Sequence, residues 1–213
     1  MIKMEKVSIV NYGVGNLLSV ERAFEKIGCM VELVSEGKDI LRSKYLVLPG
    51  VGAFGNGMCE LDKRGLTAPI MEYCSLNKPF LGICLGMQMM LESSEESGGI
   101  SGLRIISGKS DRLDSVRMGE MVYKVPNIGW YSLKGRDWEG TILEGVKDTD
   151  QFYFVHSYAA HLKRKENCLA ELSYGKQIFA AAIRNGNCYG TQFHPEKSGD
   201  AGLKVLKNFI ERI

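Results

Sequence analysis

A cysteine between two glycines is the first feature of this sequence that could do chemistry. Cys84 follows the apolar run 79–83 and has Gly82 and Gly86 two residues away on either side. This spacing is typical of the strand-to-helix elbow that presents a nucleophile, with cysteine in place of serine. Free N–H groups at the start of a helix favour the thiolate, which is the competent nucleophile. A core cysteine in a tight turn is the alternative interpretation.

Two residues of the helix predicted after Cys84 extend this interpretation. The N–H of Leu85 is placed to donate to the oxyanion that forms when sulfur attacks a carbonyl carbon. Gln88 lies four residues after the cysteine, one turn up the same helix face, where it can contact a bound substrate. The elbow therefore predicts a nucleophile, an oxyanion donor and a binding residue.

A histidine with a carboxylate two residues later is the second candidate feature. His194 precedes Pro195, and proline favours an extended conformation at the residue before it. Residues two apart in an extended segment project to the same side, so Glu196 can orient the His194 ring. We interpret the pair as a general base and its orienting carboxylate. A packed or solvated histidine is the alternative.

A glycine-rich loop over 48–55 follows another apolar strand. Loops of this kind turn backbone N–H groups inward, around either a phosphate or a developing oxyanion. A phosphate-binding P-loop is disfavoured because the lysine and the following serine or threonine are missing. With a nucleophilic cysteine elsewhere in the chain, we expect a second oxyanion donor here. A plain turn is the alternative.

Three lesser features predict no further chemistry. The β-propensity of segment 152–158 favours a core strand and nothing more. His156 and His161 have no companions at metal-ligand spacing, so no metal is expected. Segment 11–16 lacks the third glycine of a dinucleotide fingerprint. We therefore expect no cofactor.

The first half of the chain alternates strands with helices, and these elements must position the candidate residues. Predicted strands cover 7–10, 31–34, 45–48 and 79–83, and predicted helices cover 17–27 and 58–73. This alternation indicates an α/β fold with a mostly parallel sheet and helices on both faces.

The second half has shorter segments and tighter turns. A polar stretch over 93–102 precedes candidate strands at 151–158, 168–174, 177–184 and 188–193, and a last helix is predicted over 198–213. We expect these strands to be more antiparallel. The length of 213 residues suits a single domain over 1–213.

Composition narrows the setting in which this chemistry would take place. The net charge is +2, with lysine and arginine scattered among acidic residues, so neither nucleic acid nor a membrane is an expected partner. The longest apolar run, 80–91, is too short to span a bilayer, and the N-terminus has no secretory core. We expect a cytoplasmic protein. Its six cysteines form no C-x-x-C pair, so we expect reduced thiols, of which all but Cys84 act as small buried hydrophobes.

Four motifs in this order carry a resemblance to a known family: P-G-V-G-A-F-G, G-I-C-L-G-M-Q, F-V-H-S-Y and Q-F-H-P-E-K-S. They resemble the class I (triad) glutamine amidotransferases, whose fold is flavodoxin-like. The match runs nearly the whole chain. The N-Y-G-V-G-N-L start and the H-P-E-K-S end most resemble the glutaminase subunits (HisH family) of imidazole glycerol phosphate synthases.

The resemblance implies a role for each candidate residue. It makes Cys84 the residue that forms the glutamyl thioester, His194 the general acid and base, and Glu196 its orienting carboxylate. Stabilisation of the oxyanion falls to the backbone N–H groups of Leu85 and of Val51 or Gly52. The substrate L-glutamine is seated by Gln88 and the backbone of Ser157 and Tyr158.

The family also implies a partner. Its members work as heterodimers with a cyclase subunit, a HisF-like (β/α)8 barrel, which receives ammonia through a channel. Because the chain ends soon after the H-P-E helix, we expect no fused synthase domain. The product of such a complex is imidazole glycerol phosphate, together with AICAR, in histidine biosynthesis.

The chain departs from the family at 126–131, where P-N-I-G-W-Y replaces the common P-H-M-G-W-N, and at 102–108, where the usual proline is missing. Two alternatives therefore stay open. A paralogous glutaminase could supply ammonia to another amidotransferase, for instance in surface-sugar biosynthesis. A catalytically silent regulatory module on the same fold is the alternative from another functional class, because a fold alone never establishes activity.

Overall fold

The structure, a computed structural model, describes residues 4–135 and 137–213. Its strands are β1 (Lys6–Val10), β2 (Met30–Val34), β3 (Tyr45–Gly50), β4 (Phe80–Cys84), β5 (Ser93–Ser94), β6 (Gly108–Arg112), β7 (Val116–Met118), β8 (Met121–Tyr123), β9 (Asn127–Tyr131), β10 (Phe152–His156), β11 (Tyr158–Leu162), β12 (Cys168–Tyr174), β13 (Gln177–Asn185) and β14 (Cys188–Thr191). Its α-helices are α1 (Leu17–Lys26), α2 (Gly37–Arg42), α3 (Phe54–Lys63), α4 (Thr67–Ser75), α5 (Leu85–Met89) and α6 (Gly199–Glu211).

A ten-stranded sheet organises these elements. Its strand order is β2-β1-β3-β4-β14-β13-β11-β6-β5, and β12 pairs with β13 away from this path. The strands from β2 to β14 run parallel, and the pairs of β13 with β14, β11 and β12, and of β11 with β6, are antiparallel. The expected α/β class is confirmed, with a mostly parallel sheet and antiparallel strands in the C-terminal half.

The core lies on both faces of this sheet. Strands β3 and β4 are buried at every residue, as expected for parallel strands covered on both sides. The apolar residues of α1 and α6 pack in one buried cluster. Those of α3, α4 and α5 pack in a second cluster. The carboxyl ends of β3, β4 and β14 therefore meet at one edge of a rigid, doubly covered sheet.

Two elements differ from the sequence-based prediction. The helix predicted over 58–73 is two helices, α3 and α4, because Gly65 between them has a φ of +66° and ends the first helix. The strand predicted over 151–158 is interrupted at Ser157, since β10 pairs with β9 while β11 belongs to the main sheet. Helix α2 was not predicted, because its six residues are too few for a clear period.

The state and burial of the cysteines, and the length of the helices, can be compared with the remaining expectations. All six cysteines are free thiols, as expected. The expectation that each is buried is wrong for Cys59, which is exposed on α3, and only partly right for Cys74 and Cys168, which are half-buried. In the two described ranges, no helix combines the length and the apolar character that crossing a membrane requires.

Candidate active site

Cys84 lies at the carboxyl end of β4 in a strained backbone conformation. Its φ is +53°, in the left-handed region that costs a non-glycine residue roughly 1–2 kcal/mol. Helix α5 begins at the next residue and packs directly on the strands. A Cβ added to Gly86 would lie 1.9 Å from the carbonyl oxygen of Leu48, so only glycine permits this approach. The predicted elbow is therefore present.

The sulfur of Cys84 has two polar neighbours. The side-chain amide nitrogen Nε2 of Gln192 donates to it over 3.7 Å. The carbonyl oxygen of Val155 lies 4.0 Å from it. Cys84 is 8% exposed, so its sulfur reacts in a largely desolvated setting, where each polar contact counts for more than in water.

His194 and Glu196 form a buried pair beside the cysteine. The ring nitrogen Nδ1 of His194 donates to Oε1 of Glu196 over 2.7 Å, and the two side chains are only 3% and 2% exposed. The backbone holds the histidine as well, because its N–H donates to the carbonyl oxygen of Tyr153 over 2.9 Å. The other ring nitrogen, Nε2, is buried and makes no hydrogen bond to the described residues, which leaves it available to sulfur or substrate.

The charge state of His194 follows from these neighbours. Burial opposes the charged ring, but the Cys84 sulfur and the Glu196 carboxylate outweigh it and raise the pKa of His194 to about 10. The imidazolium is therefore the favoured form at neutral pH, next to a sulfur that it can pair with as a thiolate. A sulfur beside such a base is the arrangement of an activated nucleophile.

The predicted residues converge on one cavity of about 380 Å³. Eight of them line it: Val51, Gly52, Cys84, Leu85, Gln88, Ser157, Tyr158 and His194. Glu196 lies behind His194, in contact with the ring. The glycine-rich loop enters the cavity through Val51 and Gly52, and Gly52 has a φ of +94°. The structure thus brings together every candidate residue, from four separate parts of the chain.

Segment 152–158 does more than the predicted core strand. Val155, His156, Ser157 and Tyr158 line the cavity, so the expectation of a core strand and nothing more is wrong. The sequence signal was present in the F-V-H-S-Y motif, but propensity alone could not distinguish it. The described residues contain no His, Cys, Asp and Glu cluster that could hold a metal ion.

Two further residues of the site were missed at the sequence level. Glu96 lines the cavity, and its Oε2 accepts the backbone N–H of Phe54 over 2.7 Å. Gln192 is fully buried and contacts Cys84. Its position two residues before His194 was the available signal, because alternate residues of an extended segment share a side.

Segment 11–16, which was discounted as a cofactor site, supports the glycine-rich loop. The hydroxyl of Tyr12 donates to the carbonyl oxygen of Pro49 over 2.9 Å. Burial raises the pKa of Tyr12, so the hydroxyl remains a donor. A Cβ on Gly50 would lie 2.7 Å from that hydroxyl, so the loop and the tyrosine fit closely.

This arrangement can perform acyl transfer. A desolvated sulfur, a histidine that shares its proton and a carboxylate that orients the ring are the parts that such a reaction requires. The backbone of the elbow and of the glycine-rich loop borders the same space, where an oxyanion would develop.

Known proteins resemble this chain over nearly its whole length. The model of the family "Glutamine amidotransferase class-I" matches residues 8–213. The chain is 45% identical to "Imidazole glycerol phosphate synthase subunit HisH 1" of Legionella pneumophila (strain Paris), over 98% of this chain and 100% of that protein. It is 43% identical to the corresponding HisH subunit of Wolinella succinogenes, over 96% of this chain and 98% of the relative.

A solved structure supports the same fold. A glutamine amidotransferase with 19% sequence identity superposes with a TM-score of 0.70, over 96% of this chain and 97% of that one. The sequence matches extend through the elbow, the glycine-rich loop and the H-P-E segment. The chain therefore belongs to the class I glutamine amidotransferases and, within them, to the HisH family of imidazole glycerol phosphate synthase subunits.

Proposed function

We propose that this chain is the glutaminase subunit of an imidazole glycerol phosphate synthase, which hydrolyses L-glutamine to glutamate and ammonia for a cyclase subunit. The observation that carries the proposal is the buried His194–Glu196 pair beside Cys84 in one cavity. The names of the 45% and 43% identical relatives support the pathway, and the family supports the reaction.

The reaction follows from these three residues. The sulfur of Cys84 attacks the side-chain amide carbon of glutamine, and the C–N bond breaks as His194 gives its proton to the leaving nitrogen, which departs as ammonia. A water molecule then attacks the resulting thioester while His194 takes a proton from it. Glutamate leaves, and the sulfur and the imidazolium are restored. Glu196 orients the ring and stabilises its charge in both halves.

Both tetrahedral intermediates need donors for their oxyanion. The N–H of Leu85, at the first residue of α5, is one proposed donor, and an N–H of Val51 or Gly52 is the second. Removal of one such donor typically costs about a hundred- to a thousandfold in rate. The strained φ of Cys84, and the positive φ that glycine permits at Gly52, are consistent with backbone that is held for this purpose.

The remaining residues of the cavity suit the polar ends of glutamine. Glu96 presents a carboxylate that complements the α-ammonium group. Gln88 and the backbone of Ser157 and Tyr158 line the same cavity and supply amide groups for the rest of the substrate. A cavity of about 380 Å³ accommodates an amino acid of this size.

The partner is proposed to be a cyclase of the HisF-like (β/α)8 type, in a heterodimer. The free thiols agree with a cytoplasmic location, where cysteines are kept reduced. The paralogous alternative draws on the altered segment 126–131. Asn127 is buried, however, and Tyr131 packs against the rings of Phe154 and Tyr174 at 5.8 Å and 6.0 Å. Asn127 and Tyr131 therefore have packing roles, whereas Ile128 is 57% exposed and is the one change of the three that supports a different partner surface.

The test is a glutamine-dependent synthesis assay with a cyclase from an organism that carries a 40–45% identical relative. We expect the mixture to form imidazole glycerol phosphate from glutamine, and the cyclase alone to require an ammonium salt. Glutamine hydrolysis should rise when the cyclase and its substrate are added. A chain that hydrolyses glutamine with no response to any such cyclase would point to the paralogous function. A chain that never hydrolyses glutamine would point to the silent module.

A further inference from the structure

One backbone carbonyl fixes the orientation of the side chains around the Cys84 sulfur. The carbonyl oxygen of Tyr158 lies 3.0 Å from Nε2 of Gln88 and 2.8 Å from Nδ1 of His156. A carbonyl oxygen only accepts hydrogen bonds, so both atoms that face it must carry hydrogen. The amide of Gln88 therefore turns its NH₂ group towards Tyr158, and His156 has its proton on Nδ1.

The orientation passes from Gln88 to the nucleophile. The same Nε2 atom of Gln88 lies 3.0 Å from Gln192, and because it is a donor, the Gln192 atom that faces it must be the oxygen. The NH₂ group of Gln192 is then on the other side of its amide, 3.7 Å from the sulfur of Cys84. The Tyr158 carbonyl thus determines which atom donates in each of the hydrogen bonds that link Gln88, Gln192 and Cys84.

The donor and acceptor of the hydrogen bond between His156 and Asn127 are fixed in the same way. With its proton on Nδ1, His156 can only accept at Nε2, where Nδ2 of Asn127 lies 3.0 Å away. Burial lowers the pKa of His156 to about 4, so the ring is neutral and this pattern holds at physiological pH. Asn127 and His156 therefore anchor the Tyr158 carbonyl, and the carbonyl anchors the two glutamines.

We propose that Gln192 is a positioning residue for the nucleophile, whose side-chain N–H holds the Cys84 sulfur as a thiolate while its oxygen fixes Gln88 in the cavity. Gln192 is fully buried and Gln88 is 5% exposed, so water does not compete for these bonds. A hydrogen bond to an anionic acceptor is stronger than one to a neutral acceptor. The contact with Gln192 therefore stabilises the thiolate of Cys84 more than its thiol. It also stabilises the thiolate more than the thioester, whose sulfur is likewise neutral. This inference rests on the function proposed above.

The test replaces the side-chain N–H donor of Gln192 and measures the reactivity of the Cys84 sulfur. Gln192→Glu keeps the shape of the side chain but turns an anionic oxygen towards the sulfur, and Gln192→Met keeps the volume without any N–H. The full chain, in complex with its cyclase, is alkylated with iodoacetamide across a pH series, and the peptide that contains Cys84 is quantified by mass spectrometry. We expect the pH of half-maximal alkylation to rise by about one to two units in Gln192→Glu, and by about one unit in Gln192→Met.

Glutamine hydrolysis at neutral pH should fall about 10- to 100-fold in both variants. Thr191→Val is the matched control, since Thr191 is the preceding residue, fully buried, and its hydroxyl has no hydrogen-bond partner among the described residues. We expect wild-type alkylation from this control. A purely structural role would lower the melting temperature and leave the pH of half-maximal alkylation unchanged.

An unchanged alkylation midpoint in Gln192→Met, with the protein still folded, would overturn the inference even if Gln192→Glu does not fold. The inference and the proposed function fail separately. A wild-type complex that does not hydrolyse glutamine refutes the function, whereas the alkylation midpoints depend only on the environment of the sulfur.

Discussion

The two ends of the parallel sheet both hold a buried cysteine and a cavity, yet they differ in chemistry. Cys84 ends β4 at one edge, and Cys188 begins the neighbouring strand β14 at the opposite edge. The cavity at the second edge measures about 410 Å³, comparable with the 380 Å³ of the first, and is lined by Cys74 and Cys188 among others. Burial, residue type and cavity size therefore do not distinguish the two ends.

The surroundings of the sulfurs distinguish them. Cys84 faces an amide N–H and shares its cavity with His194. Cys188 instead faces an acceptor, the carbonyl oxygen of Cys74, which lies 3.9 Å from its sulfur. Arg104 is a cation of the second cavity, but no histidine of the described chain lines it. A thiol becomes a nucleophile where donors and a base converge, which in α/β sheets is the carboxyl end of the strands.

The largest expected effect on glutamine hydrolysis comes from removing the Cys84 sulfur, and removal of the Cys188 sulfur at the opposite end of the sheet is the comparison. Cys84→Ala should reduce glutamine hydrolysis by the complex more than about a thousandfold, since a triad loses nearly all its activity with its nucleophile. Cys188→Ala, which removes a buried thiol of the same sheet, should keep hydrolysis within about twofold. Ammonia release is the measurement. Equal losses in both variants would mean that the comparison reflects packing and not chemistry.

Sequence reasoning located the reactive end because its signals are local. The Gly82 and Gly86 spacing around Cys84, and the two-residue separation of His194 and Glu196, follow from strand and turn geometry alone. Gln192 was missed because its role depends on Cys84, which lies 108 residues away in sequence. Likewise, the break of segment 151–158 at Ser157 arises from pairing with two different sheets, which no local pattern encodes.

The second prediction concerns the base. Glu196→Gln removes the carboxylate that helps raise the pKa of His194 to about 10, so burial should lower that pKa. Because the folded-state pKa falls, the imidazolium is lost at lower pH. The alkaline limb of the kcat/KM profile should then move down by at least about one unit, with about a 10- to 100-fold loss near pH 8. Glu211→Gln, an exposed carboxylate on α6, is the control and should leave the profile unchanged.

A third prediction tests the close packing of the elbow. Gly86→Ala would place a Cβ 1.9 Å from the Leu48 carbonyl oxygen, so we expect the free energy of unfolding to fall by about 1–3 kcal/mol. Gly98→Ala has no heavy atom within 4 Å of its Cβ and should change it by less than about 0.5 kcal/mol. Urea unfolding monitored by circular dichroism measures both. Similar values for the two variants would contradict the packing argument.

The smallest expected effect is on the free energy of unfolding and concerns His156, which holds the Tyr158 carbonyl beside the active site. His156 has a folded pKa of about 4, below its unfolded value of 6.5, so the unfolded chain binds the extra proton between these values. The neutral, buried His156 therefore contributes to the free energy of unfolding in full above pH 6.5. This contribution is lost as the pH falls towards 4, by up to about 1.4 kcal/mol per pH unit. His156→Gln should flatten the dependence of unfolding free energy on pH in that window. Parallel curves for wild type and His156→Gln would refute a neutral buried His156.

The most direct test of the account is to label the complex with a diazoketone analogue of glutamine and map the adduct by mass spectrometry. The account predicts one adduct for each chain, on the sulfur of Cys84, with glutamine-dependent synthesis lost, ammonia-dependent synthesis kept and prior glutamine protecting the site. An adduct on Cys188 or on any other residue, or loss of activity with Cys84 unmodified, would contradict it.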